Sequence, residues 1–192
     1  MSRAYDRKER RRYSDDSDSE DDSRFERMYC RMKKMMLRDP ELMVTGAEAY
    51  ADVFNTVAQT LPIGGKVTFE FNDTLSHVEH VPSSGDILIK KSGIYLIISS
   101  LNLNDPSQWT LFINDVPHAS STVGTNIAAS ELTLGHIKAL NAGDIVSLRN
   151  YMSPKDTSLS VNAGGDGTVG STNAEMVLIR IAPYGGSRHC LK

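Results

Sequence analysis

After Thr45 the chain consists of short β-rich runs separated by turn signals, and no interior helix of useful length competes with them. The runs are Ala49 to Phe54, Lys66 to Phe71, Asp86 to Lys90, Gly93 to Leu101, Trp109 to Asn114, Ala128 to Ile137, Asp144 to Asn150, Ser158 to Val161 and Ala174 to Ile181. Between them stand Gly64-Gly65, Asn72-Asp73, Ser83-Ser84-Gly85, Asn104-Asp105-Pro106, Asn114-Asp115, Ala142-Gly143-Asp144 and a Gly-rich loop from Ala163 to Ser171. Gly, Asn, Asp and Ser in these places punctuate strands because they accept the backbone angles of tight turns. Eight or nine short strands at this spacing predict an all-β protein, an antiparallel jelly-roll sandwich.

Two of the runs depart from the alternation of apolar and polar residues expected of a sheet with one wet face. In Ile94-Tyr95-Leu96-Ile97-Ile98 and in Met176-Val177-Leu178-Ile179 both faces are apolar. The core of the sandwich covers one face. The other needs a neighbouring subunit, because soluble monomers avoid apolar patches of that size; a strand buried internally on both faces is the competing explanation. Tyr95, Ile97, Met176 and Leu178 are the candidate interface residues. A closed symmetric oligomer, here a homotrimer, lets each copy hide the same patch once.

The N-terminal part is written differently. Residues 1–38 hold 12 of the 21 Lys and Arg residues. Residues 1–23 set a basic cluster beside an acidic Ser/Asp run, with almost nothing apolar to offset the entropy of ordering, and are expected to be a disordered, self-screening tail. From Arg24 to Arg38, Phe25, Met28, Tyr29, Met32, Met35 and Met36 recur at helical intervals and Pro40 stops the pattern. This predicts a short amphipathic helix, marginal alone in water, whose Met-rich face is a candidate docking surface. The expected organisation is a tail (1–23), a helix and linker (24–45), the jelly roll (46–184) and a C-terminal tail (185–192).

Charge and composition exclude several classes. After residue 38 the chain has 15 Asp and Glu against 9 Lys and Arg, so the body lacks the positive charge that phosphate neutralisation requires, and no nucleic-acid partner is expected. No run approaches the roughly 18 apolar residues of a membrane-spanning helix, and no apolar signal-peptide core follows the basic start. The expectation is a protein made in the cytoplasm, with no membrane partner. Two cysteines, Cys30 and Cys190, are too few for a disulfide-dense scaffold.

The blocks AYADVFNTVAQTLPIGGKVTFEFN, DILIKKSGIYLIISSLNLN, QWTLFINDVPHASSTVG, LNAGDIVSLRN and AEMVLIRIA follow one another in this order within residues 47–183. Together, with Gly93 and Tyr95 in one block and Gly143 and Asp144 in another, these blocks resemble the C1q/TNF-like C-terminal domain of the collagen-like exosporium glycoproteins on bacterial endospores. The resemblance implies a jelly roll forming a compact threefold trimer without a catalytic site, and a place on the endospore surface, in the exosporium or an appendage fibre. The chain departs from that pattern in having no Gly-X-Y collagen stalk and no short Pro-rich targeting segment. In this fold the first and last strands are neighbours, so Cys30 and Cys190 are either candidates for a disulfide locking the arm to the body or two unpaired thiols.

Chemistry is sparse. His77 and His80 would point to opposite faces of a strand, which disfavours a shared metal, and His118, His136 and His189 have no Cys or carboxylate at ligand spacing. The loop AGGDGTVGS lacks the Gly-Lys-Ser/Thr ending of a phosphate-binding loop, and no G-x-S-x-G elbow is present. No cofactor, no metal and no enzymatic activity are expected. The reading is a structural, self-assembling surface protein: a homotrimeric head whose arm connects it to other spore-surface or fibre proteins. The alternative is a trimeric receptor- or glycan-binding head of a phage or bacterial surface fibre. Small, polar loops weigh against it, since binding heads expose aromatic or Arg anchors.

Overall fold

Long strands with strict two-residue periodicity build the centre of the molecule. The computed structural model of the chain describes residues 48–166, 168 and 170–183, all within the unit that follows residue 45. The strands are β1 (Tyr50–Asn55), β2 (Thr60–Leu61), β3 (Phe71–Ser76), β4 (Val78–His80), β5 (Ile87–Ile89), β6 (Gly93–Leu103), β7 (Ser107–Ile113), β8 (Val116–Pro117), β9 (Val123–Thr125), β10 (Ser130–Leu140), β11 (Ile145–Asn150), β12 (Thr157–Ser158) and β13 (Ala174–Ala182). One sheet has the order β10-β6-β13-β1-β3, and the second has β4-β5-β11-β7-β8 with β9 also paired to β7. All the strand pairings are antiparallel. This is the jelly-roll sandwich expected from the strand grammar. Among the described residues no helix is long and apolar enough to cross a membrane.

Between the sheets, Trp109, Tyr95, Phe69, Ile87, Ile89, Ile97, Leu101, Leu103, Leu111, Leu134, Leu140 and Leu148 are fully buried. Burial of one such large side chain is worth about 1.5–3 kcal/mol, so the sandwich interior is the main source of stability. Several polar groups inside it are tied down. The Trp109 indole N–H donates to the Ser107 hydroxyl over 2.9 Å, and the Tyr95 hydroxyl donates to the Lys91 carbonyl over 2.6 Å. Asn55 donates through Nδ2 to Asn173 Oδ1 over 2.8 Å, joining the ends of β1 and β13.

Turn chemistry sets the register. Asn114 and Asp115 connect β7 to β8 with φ of 53° and 62°, the pair of left-handed conformations that a two-residue hairpin turn requires. Asp115 then pairs with Arg149 on β11, whose guanidinium carbon lies 4.3 Å from the centre of the Phe112 ring. The turn is thereby stapled to the sheet beside it.

Several expectations need correction. Lys66 to Phe71 is not a ladder strand but carries isolated bridges, from Lys66 to Arg149 and from Phe69 to Ser84. The strand begins at Phe71 and runs through Asn72 and Asp73, which the sequence marks as a turn. A bulge explains the misreading: Asp52 pairs with Thr74 and Val53 with Asn72, leaving Asp73 as the extra residue. β12 is two residues long and pairs with β2; β2, β4, β8 and β9 are too short to leave a periodic signal. The expected tail, amphipathic helix and C-terminal tail lie outside the described residues.

Candidate assembly surface

Strand pairing fixes what the five-stranded sheet presents on its outer side. Ile137, Leu96, Ile179 and Tyr50 form one row across β10, β6, β13 and β1. Gly135, Ile98, Val177, Asp52 and Thr74 form the next, and Thr133, Ser100, Glu175, Phe54 and Phe71 the third. Phe54 and Phe71 stack with centroids 5.2 Å apart. Ile98, Phe71 and Ile137 are 37%, 42% and 63% exposed, whereas Ile94, Leu96, Val177 and Ile179 are half-buried by their neighbours. The chain thus carries an apolar face of aliphatic and aromatic side chains outside its own core, with polar residues at intervals.

The expectation of strands apolar on both faces holds, but the choice of side does not. Tyr95, Ile97, Met176 and Leu178, the candidate interface residues, are 0–1% exposed and lie in the interior between the sheets. The outward set has the opposite parity: Ile94, Leu96 and Ile98 on β6 and Val177 and Ile179 on β13. Alternation alone cannot choose between them, because β13 carries one charged residue on each side. Arg180 points inward and Glu175 outward. A one-residue change of register exchanges the two faces completely.

Arg180 reaches its interior position because a glycine leaves room. Its Nε–H donates to the Ser92 carbonyl over 3.0 Å, its Nη1 lies 3.7 Å from Glu48 Oε2, and a Cβ placed on Gly93 would lie 2.5 Å from its Nε. Lys91 pairs with the same Glu48 carboxylate, which holds that carboxyl below its ordinary range, chiefly through the Lys91 hydrogen bond. Burial pushes the Tyr95 phenol up. These groups anchor the start of β1 to the end of β13.

Among the carboxylates of the outer face, two are shifted upward by their surroundings. Asp52 sits between Tyr50 and Phe54, and its Oδ1 is shielded from water without a hydrogen-bond partner. Burial raises its carboxyl above the ordinary range, and the charge of Asp73 adds to the effect. Glu175 is raised as well, by burial and then by the charge of Asp52. Sequence inspection missed both because each is a single charge within an apolar strand run. Their adjacency depends on the β1–β13 register.

The remaining candidates are dispersed. His77 is exposed at the corner between β3 and β4, while His80 is buried, with Nδ1 2.5 Å from Asn72 Oδ1 and Nε2 3.0 Å from the Ser84 carbonyl. His118 and His136 have imidazoles lowered by burial and by the nearby Lys138 charge. Among the described residues no group of three or more His, Cys, Asp or Glu is placed to hold a metal ion. A shallow cleft of about 330 Å³ lies at the loop end, lined by Asn102, Leu103, Ser130, Glu131, Ser160 and Asn162 among others. Phe25, Met28, Tyr29, Met32, Met35 and Met36 of the arm, together with Cys30, Cys190 and His189, lie outside the described residues.

No protein-family model matches the sequence, and no curated protein does. Solved structures do match. The Eiger TNF of S. frugiperda superposes with a TM-score of 0.53 at 12% identity, covering 76% of this chain and 99% of that one. The globular domain of zebrafish complement 1qA gives 0.49 at 14% identity over 71% of this chain and 99% of its own. Rabbit GITRL gives 0.44 at 17% identity over 71% and 96%. At such identities the likeness concerns architecture alone, and on the Eiger match the chain is similar to TNF-type domains in its C1q/TNF-like jelly-roll fold.

Proposed function

We propose that this chain is the subunit of a homotrimeric, non-catalytic jelly-roll head whose N-terminal arm links the trimer into a larger surface assembly. One observation carries the reading: the apolar outer face built by Ile94, Leu96, Ile98, Val177, Ile179 and Ile137, with Tyr50, Phe54 and Phe71 beside it. Exposed apolar faces of this kind mark interaction sites, and a face made from the middle of one sheet suits a closed ring of identical copies. The helical spacing of Phe25, Met28, Tyr29, Met32, Met35 and Met36 supports a docking role for residues 24–45. The resemblance of the sequence blocks to those of exosporium glycoproteins supports the outer layer of an endospore, or an appendage fibre on it, as the place of assembly.

Light scattering on the full-length protein at micromolar concentration and about pH 5 tests the trimer, with the mass of three chains as the expected result. A stable single subunit would end this reading. Antibody labelling of intact spores tests the location, and labelling confined to the cell interior would overturn it.

A further inference from the structure

We propose that the Asp52 and Glu175 carboxyl groups make assembly of the head proton-dependent, opposing contact between subunits while ionised and permitting it once they carry protons. The proposal deepens the trimer reading above and rests on it.

Asp52 lies directly across from Val177, and Glu175 is two residues along the same strand, opposite Phe54. The two carboxyl groups are therefore diagonal neighbours on one side of the sheet, with Cβ atoms roughly 7–8 Å apart or closer. Around them stand Ile98, Val177, Tyr50 and Phe54. The ionisable groups that the five strands present on this side are Asp52 and Tyr50 from β1, Asp73 from β3, Glu175 from β13 and Glu131 from β10; β6 presents none. No cation among the described residues shares the face, since Arg180, His136 and Lys138 have the inward parity, opposite Tyr95 and Ile97.

A second copy laid on this face removes the remaining water and brings further carboxylates of the same sign. Both changes favour the neutral acid, because a charge loses solvation and like charges repel. Oδ1 of Asp52 already lacks a partner, and both groups are already raised in the single chain, Asp52 by burial and Asp73, Glu175 by burial and Asp52. Assembly then takes up protons. By linkage, the association constant rises about tenfold per pH unit for every proton taken up, as pH falls from neutral toward the carboxylate range.

Sedimentation equilibrium of the full-length chain at about pH 7.5 and about pH 5 tests this, alongside Asp52→Asn, Glu175→Gln and the double variant. These substitutions conserve volume, and far-UV circular dichroism checks that each remains folded. The expected result is tighter trimers at the lower pH for the unmodified chain, part of that dependence in each single variant, and strong pH-independent trimers in the double variant. Trimers equally tight at both pH values, or an acid dependence that persists in the double variant, would overturn the switch and leave the trimer standing. A chain that never associates would remove the trimer, and the switch with it.

Discussion

Arg180 passes directly against Gly93, whose missing Cβ would otherwise lie 2.5 Å from Nε, 2.7 Å from Cγ and 2.8 Å from Cδ of the arginine. The stem of the arginine cannot move aside cheaply, because its Nε–H is spent on the Ser92 carbonyl and the residue is 8% exposed. Gly93→Ala is expected to cost about 1–3 kcal/mol, the usual range for overpacking a filled interior. Thermal unfolding followed by circular dichroism checks this, with a midpoint several degrees lower. An unchanged midpoint would show that Arg180 has another place to go.

Adjacent residues of β6 should fail in different ways. Ile97 is in the sandwich interior and Ile98 on the outer face. Ile97→Ala should lower stability by about 2–5 kcal/mol. Ile98→Asp should leave the midpoint of the separated subunit nearly unchanged while shifting light-scattering mass from three chains to one. The reverse pattern would restore the opposite parity.

Asn173 ties three segments at the loop end. It accepts from Asn55 Nδ2, donates through its own Nδ2 to the Val57 carbonyl over 2.9 Å, and its carbonyl accepts from the Asn102 N–H. Asn173→Ala leaves the buried Asn55 amide without that acceptor, a loss of about 1–3 kcal/mol. Denaturant unfolding measures it, and a change within error would mean that water replaces the lost bonds.

Through His136, acid should act on the fold of the single subunit with the opposite sign to its action on assembly. His136 is lowered from 6.5, first by burial and then by the charge of Lys138. The unfolded chain therefore binds a proton at a pH where the folded chain does not, so stability falls as pH drops below about 6.5 and continues to fall until the folded imidazole titrates. His136→Gln should reduce the loss of thermal stability between about pH 7.5 and 5.5. An identical loss in the variant would assign the effect to other groups, His118 first among them.

Much of the architecture was legible from residue order. β6 and β13 are long, β-branched and bounded by Gly93 and by Asn173, and the paired Asn114 and Asp115 name their own turn. What escaped was of two kinds. β3 carries a polar Phe-Asn-Asp-Thr run at the edge of its sheet, where a bulge absorbs Asp73, so neither alternation nor turn composition reports a strand there. The assembly face escaped because Ile94, Leu96 and Ile98 are as apolar as Tyr95 and Ile97. Which set faces the interior is decided by long-range pairing of β6 with β10 and β13, and a local window does not contain those partners. The Asp52–Glu175 pair is invisible for the same reason, since 123 positions of chain separate them and only the β1–β13 register makes them neighbours.

Because Tyr50 is paired with Ile179, the polypeptide enters and leaves the sandwich side by side, while Asn55 and Ala174 mark the opposite pole. A passenger protein joined ahead of Glu48 or behind Pro183 would therefore sit at one pole in either orientation. The connections at the other pole, around Asn104 and Ala129, would remain free for inserted peptides, which makes this small body a two-ended display frame.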